Sequence, residues 1–75
     1  MSIKDWIDQQ PMSATEAIEW LAAEVGVKPP SVRHWVYGVR QVPSVHCRAV
    51  ERATGAQVRA IDLRPDVFGE PETAA

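Results

Sequence analysis

The chain has 75 residues, 45% of them hydrophobic, and a formal net charge of −2 at pH 7. That composition suits one small domain with one small core, and such a core is expected to leave only a few kcal/mol of net stability. One cysteine, Cys47, excludes an intramolecular disulfide.

Cys47 lies in an apolar-periodic segment without a Cys or His-rich cluster, so a core thiol in a reducing, cytoplasmic protein is expected. No apolar run approaches the roughly 20 residues of a membrane span. The opening MSIKDWIDQQ lacks the apolar region of a signal peptide. The charge is uneven. Residues 1–24 carry one lysine and five acids, a net −4, whereas residues 25–48 carry Lys28, Arg33, Arg40 and Arg48 and no acid, a net +4. Both histidines, His34 and His46, lie in that middle third. Residues 49–64 sum to +1 and residues 65–75 to −3. A local basic patch on an acidic molecule suits a polyanion bound through one face.

Residues 2–9 place Ile3, Trp6 and Ile7 at helical spacing, with Ser2 as cap and Asp5 at the capping-box position. Gln10-Pro11-Met12 ends this helix. Ser13 and Glu16 repeat the capping box before a second helix. Ala14, Ile18, Leu21, Ala22 and Val25 form its apolar face, with Glu16, Glu19 and Glu24 largely opposite. Gly26 ends it in the left-handed conformation. Pro29 and Pro30 fit only the first turn of a third helix, which runs to about Tyr37 and is anchored by Val32, Trp35 and Val36. Gly38 stops it, and residues 39–43 connect. Ser44 is expected to cap a helix to about Thr54, with Val45, Ala49 and Val50 as its apolar stripe, Cys47 beside them and Gly55 after them. Residues 57–63, with Val58, Ile61 and Leu63, read as a short strand or a turn of helix. Val67 and Phe68 dock a closing segment, and the polar tail 69–75 frays. The expectation is an all-α domain of four to five helices over residues 1–68, followed by that tail.

Within it, a helix, a glycine-containing turn and a short helix make a helix-turn-helix unit. Ala22 allows close crossing, Gly26 allows the sharp turn, and Val32 and Trp35 bury the second helix. An ordinary helical hairpin in a protein-binding domain is the bland alternative. No paired nucleophile, metal-ligand spacing or phosphate loop is present in the sequence, so neither an enzyme nor a cofactor is expected. His46 and Cys47 are adjacent on a helix and diverge by about 100°, so they form no dyad.

Residues 21–68 resemble the Cro/YdaS-like helix-turn-helix proteins, small prophage-type repressors and antitoxins. The resemblance rests on the frame Leu21-Ala22…Gly26-Val27…Trp35…Gly38, on Val42-Pro43, and on the tail Glu51-Arg52-Ala53-Thr54-Gly55…Val58…Asp62-Leu63-Arg64-Pro65-Asp66. It implies a lambda-repressor-like fold and a transcriptional regulator that binds double-stranded DNA, commonly as a homodimer on a palindromic operator. Two departures matter. Pro29 and Pro30 replace the polar residues common early in the family's recognition helix, and Ala56 stands where a second glycine often follows Gly55.

On this reading the recognition helix enters the major groove by its N-terminal end. Arg33 is the first candidate for a base contact, bidentate to guanine. His34 donates to a base or a phosphate, or is simply solvated. Ser31 meets a base edge or a phosphate, and Pro30 offers an apolar contact. Lys28, Tyr37 and Arg40 reach the backbone or the groove edge. Arg48 extends the same surface or is merely solvated. Trp6 and Trp35 belong to the core, whereas Trp20 sits off the apolar face and is a candidate partner surface. Dimerisation is placed either in residues 56–68 or around Trp20. The competing expectations are a domain whose main partner is a protein, such as a toxin, and an antitoxin that binds both protein and DNA.

Overall fold

Six helices follow one another in the computed structural model, which describes residues 1–68: α1 (Ile3–Asp8), α2 (Ala14–Val25), α3 (Pro29–Val36), α4 (Ser44–Ala53), α5 (Ala60–Leu63) and α6 (Pro65–Phe68). No strand occurs among the described residues, and the expected tail 69–75 lies outside them. The all-α helix-turn-helix expectation holds, with two single-turn helices, α5 and α6, bringing the number to six.

α2 is the hub and touches α1, α3 and α4. Its start is fixed locally. The Ser13 hydroxyl accepts from the Glu16 amide at 3.1 Å, and the Glu16 carboxylate accepts from the Ser13 amide at 3.3 Å. At α1 only half of such a box forms, with Ser2 Oγ accepting from the Asp5 amide at 3.1 Å. α2 ends at Gly26, whose φ of 90° lies in the left-handed region. There the amides of Gly26 and Val27 both donate to the Ala22 carbonyl, at 2.8 and 3.0 Å. This turn aims α3 across α2, where Ala22 is buried and small enough to let the two helices meet.

The largest fully buried side chains are Leu21, Val32, Val50, Val58 and Cys47. Each aliphatic one contributes about 1.5–3 kcal/mol by leaving water. Several expected core positions are corrected. Ala17, not Ala14, completes the buried face of α2, because Ala14 sits in the first turn beyond its neighbours. Val45 is 80% exposed, and the buried stripe of α4 is Cys47 and Val50 instead. Ser44 is not the cap: Pro43 occupies that position, and no side chain caps the helix. Val36 is buried while Trp35 is only half-buried. Val67 stays exposed, and Phe68 alone packs on the core. Burial pushes the Cys47 thiol pKa up, which keeps it protonated, and Sγ–H points at the carbonyl of Pro43, 3.5 Å away. That fits the expected core thiol.

Within residues 57–63 no strand forms: Ala60–Leu63 make a turn of helix and residues 57–59 lead into it. The α5 amide of Ala60 donates to the Glu51 carboxylate of α4 at 2.8 Å, so α4 itself caps α5. Asp62 accepts from the Arg59 amide at 3.1 Å and from the terminal ammonium of Met1 at 3.1 Å. These donors, the Arg59 amide first, lower the Asp62 pKa from an ordinary 3.8 to about 2. A carboxylate whose pKa is depressed on folding adds stability above its unfolded value and loses it as pH falls through the folded one. The melting temperature is therefore expected to drop between pH 4 and pH 2, and Asp62→Asn should flatten that drop in a thermal melt series.

The second glycine that the resemblance implies after Gly55 has a counterpart in the backbone. Gly55 and Ala56 both adopt left-handed φ, 64° and 66°. Ala56 thus keeps the glycine turn at the expense of a crowded Cβ, and its amide still donates to Glu51 O at 2.8 Å. Ala56→Gly is expected to stabilise the domain by roughly 0.5–1 kcal/mol, read as a higher urea midpoint.

Candidate nucleic-acid interface

The Pro-Pro start of α3 solves a capping problem. The first amides of a helix have no internal acceptor. Pro29 and Pro30 fill the first two positions and carry no N–H, and the Ser31 amide donates to Lys28 O at 3.0 Å. Lys28, in the N-cap position, therefore needs no side-chain cap and makes none. The same choice removes two donors that a helix N-terminus would otherwise offer to an anion. The tip of α3 is instead apolar, with Pro30 exposed.

Val32 and Val36 fix which way α3 faces. At about 100° per residue, the side opposite them carries Pro30, His34 and Tyr37, with Arg33 on one flank and Ser31 on the other. Pro30, Arg33, His34 and Tyr37 are exposed, and Ser31 is half-buried. His34, rather than Arg33, is the central outward side chain.

Past Tyr37 the chain turns back through Gly38, whose φ is 74°. The amides of Val39 and Arg40 both donate to the His34 carbonyl, at 2.9 and 3.3 Å. This turn returns Arg40 and Gln41 beside α3. Between α3 and this return lies an open cleft of about 460 Å³. Pro30, Ser31, His34 and Trp35 line it from α3, and Arg40, Gln41 and His46 line it from the other side. The Trp35 and His46 rings meet at a centroid distance of 5.9 Å.

The structure thus brings four of the expected residues, Pro30, Ser31, His34 and Arg40, into one cleft. Lys28, exposed at the N-cap of α3, and Tyr37, 61% exposed at its C-cap, do not line the cleft. Arg33 lies on the flank away from the cleft. Arg48 is apart from it as well: its guanidinium sits 5.1 Å from the Phe68 ring centroid. Two positions on from His46, it emerges about 200° around α4. Gln41 and His46 join the cleft although they are not among the expected site residues, and Trp35, expected in the core, lines it too. The sequence held one signal for His46, its place in the first turn of the helix that follows Pro43.

Charge pairing separates the cations. Lys4, Arg59 and Arg64 each bond a carboxylate, at 3.0, 3.5 and 2.8 Å. Among the described residues no ion pair involves Lys28, Arg33, Arg40, Arg48 or Arg52. The unpaired cations all fall within residues 28–52, and three of them surround α3.

Residues 18–72 match the family model described as "Bacterial toxin YdaS". The chain belongs to the YdaS family. It is also 51% identical over 47 residues to the "Putative transcriptional regulator YdaS" of Escherichia coli (strain K12). That match takes in 63% of this chain and 48% of the relative, so it spans about half of the relative's length. No solved structure matches the chain. The two YdaS descriptions name different roles, one a toxin and one a regulator. No described helix is long and apolar enough to cross a membrane.

Proposed function

We propose that the chain is a cytoplasmic transcriptional regulator, not an enzyme, and that it binds double-stranded DNA through α3. The observation that carries this reading is the solvent-facing side of α3, with His34 at its centre and the unpaired Lys28, Arg33 and Arg40 around it. In the major groove His34 and Arg33 read base edges, and Pro30 lies against apolar base surface such as a thymine methyl. Lys28, Arg40 and Gln41 hold phosphates and fix the register. His46, half-buried against Trp35, lines the far wall of the cleft and steadies it. A single short module reads too few base pairs for an operator, so the working form is a homodimer on a palindrome, acting as a Cro-like repressor. The name of the Escherichia coli relative supports the regulatory role.

Phosphate contacts release counterions, so affinity falls linearly with salt on logarithmic axes. Two to three cationic contacts per protomer predict a slope of about −4 to −5 for a dimer on duplex DNA. A fluorescence-anisotropy titration across salt concentrations measures it. A slope near zero, or no duplex binding at low salt, contradicts the reading. The family name "Bacterial toxin YdaS" supports a second reading, in which a protein is the main partner and DNA a minor one.

A further inference from the structure

We propose that the outward face of α2 is a docking site for an arginine-bearing basic segment of a partner protein, with Trp20 as its platform. Trp20 is 42% exposed, an unusual position for so large an apolar side chain. Its ring is not loose. It stacks on Trp6 at a centroid distance of 5.9 Å and an interplanar angle of 30°. Trp6 is itself buried in the core. Trp20 is thus a preorganised aromatic surface, supported from behind and open in front, as interface anchors are.

Its neighbours select the occupant. Glu16 and Glu24 lie four residues before and four after Trp20, so the three form one ridge along the helix. Glu19 adjoins that ridge. All three glutamates are exposed, and none forms an ion pair among the described residues. The Ser13 capping box holds the Glu16 carboxylate in place. A flat aromatic ring between two carboxylates fits a guanidinium, which stacks on the ring and bonds an acid at its edge. Nucleic acid is repelled by the same charges. A second copy docking by the same face is disfavoured too, because a twofold axis would set like carboxylates against each other. No α2 side chain lines the α3 cleft, so this site and the DNA-facing side of α3 are separate.

The test is an NMR titration of the whole chain at low salt with a capped peptide of four Arg-Ala-Ala repeats. Trp6, Trp20 and Trp35 are the only tryptophans, so three indole N–H signals report on three places. The expected result is a saturable shift at Trp20 with Trp35 unmoved. Trp20→Leu should weaken binding by about 3- to 30-fold, and a lysine version of the peptide should bind more weakly. The double variant Glu16→Gln, Glu24→Gln keeps the capping-box geometry and the aromatic stack, and it too should bind several-fold more weakly. The proposal is overturned by an unmoved Trp20 signal or by equal affinity in the double variant. It is also overturned by sedimentation that shows a self-association lost on Trp20→Leu, which would make the occupant a second copy.

Discussion

His34→Ala is expected to lower specific duplex affinity by about 5- to 150-fold, the equivalent of one lost base contact of roughly 1–3 kcal/mol. Arg33→Ala should act in the same range. Both side chains are exposed and lie opposite or beside the buried Val32–Val36 edge of α3, so neither change should alter helix content or melting temperature. Each should relax sequence preference at a limited set of base pairs. Lys28→Ala provides the contrast. A phosphate contact carries no sequence information, so its loss should weaken all duplexes alike and reduce the salt slope by about 1. Anisotropy titrations on a preferred site and on single-base variants of it separate the two patterns. Equal affinity of His34→Ala, Arg33→Ala and wild type for every site would remove α3 from base reading.

Thr54→Val is expected to cost about 1–3 kcal/mol of stability although it changes almost no shape. Thr54 is 4% exposed. Its hydroxyl donates to the Val50 carbonyl at 2.9 Å and accepts from the Val58 amide at 3.1 Å. Val58 is fully buried. A valine leaves that amide without an acceptor and without access to water, which is more costly than the loss of a hydrogen bond between exposed groups. The hydroxyl also bridges the left-handed Gly55-Ala56 turn, so the variant loosens the start of α5. The loss is a large share of the total for so short a chain. Urea unfolding should show a clearly lower midpoint for Thr54→Val and near-recovery for Thr54→Ser. An unchanged midpoint would mean that the turn is held by other contacts.

What the sequence disclosed and what it concealed follow from the range of the interactions. The Ser13–Glu16 box, the Gly26 turn and the first-turn prolines of α3 act within four residues, and each appears in the structure where the spacing places it. The phase of α4 was hidden. Val45-Ala49-Val50 and Cys47-Val50-Thr54 are both helical stripes, and contact with α2 selects the second. Thr54 disguises that stripe because it is polar and satisfies itself inside the fold. The site shows the same division. Outward exposure of Arg33 and His34 follows once Val32 is buried, and it was readable from the helical period. The Trp35–His46 pair joins α3 to α4, and the Arg48–Phe68 contact joins α4 to α6. Such contacts depend on how the helices cross, which local pattern does not encode.

The strained turn and the Pro-Pro start also illustrate substitution within a shared frame. Ala56 retains the turn of a glycine pair at an energetic cost, and Pro29-Pro30 retain the helix start while discarding polar donors. The first bears on stability alone. The second changes the chemistry of the tip of α3, so the site preferred by this chain should differ at that end from sites read by polar residues.

The most direct test of the central claim, that α3 reads duplex DNA by sequence, is selection of bound sites from a random duplex pool by the purified protein, repeated with His34→Ala and Arg33→Ala. The account predicts an enriched palindrome for the wild type, with the preference relaxed in each variant at the base pairs its side chain contacts. No enrichment by the wild type, or the same enriched sequence with all three proteins, would contradict it and move attention to the Trp20 face and a protein partner.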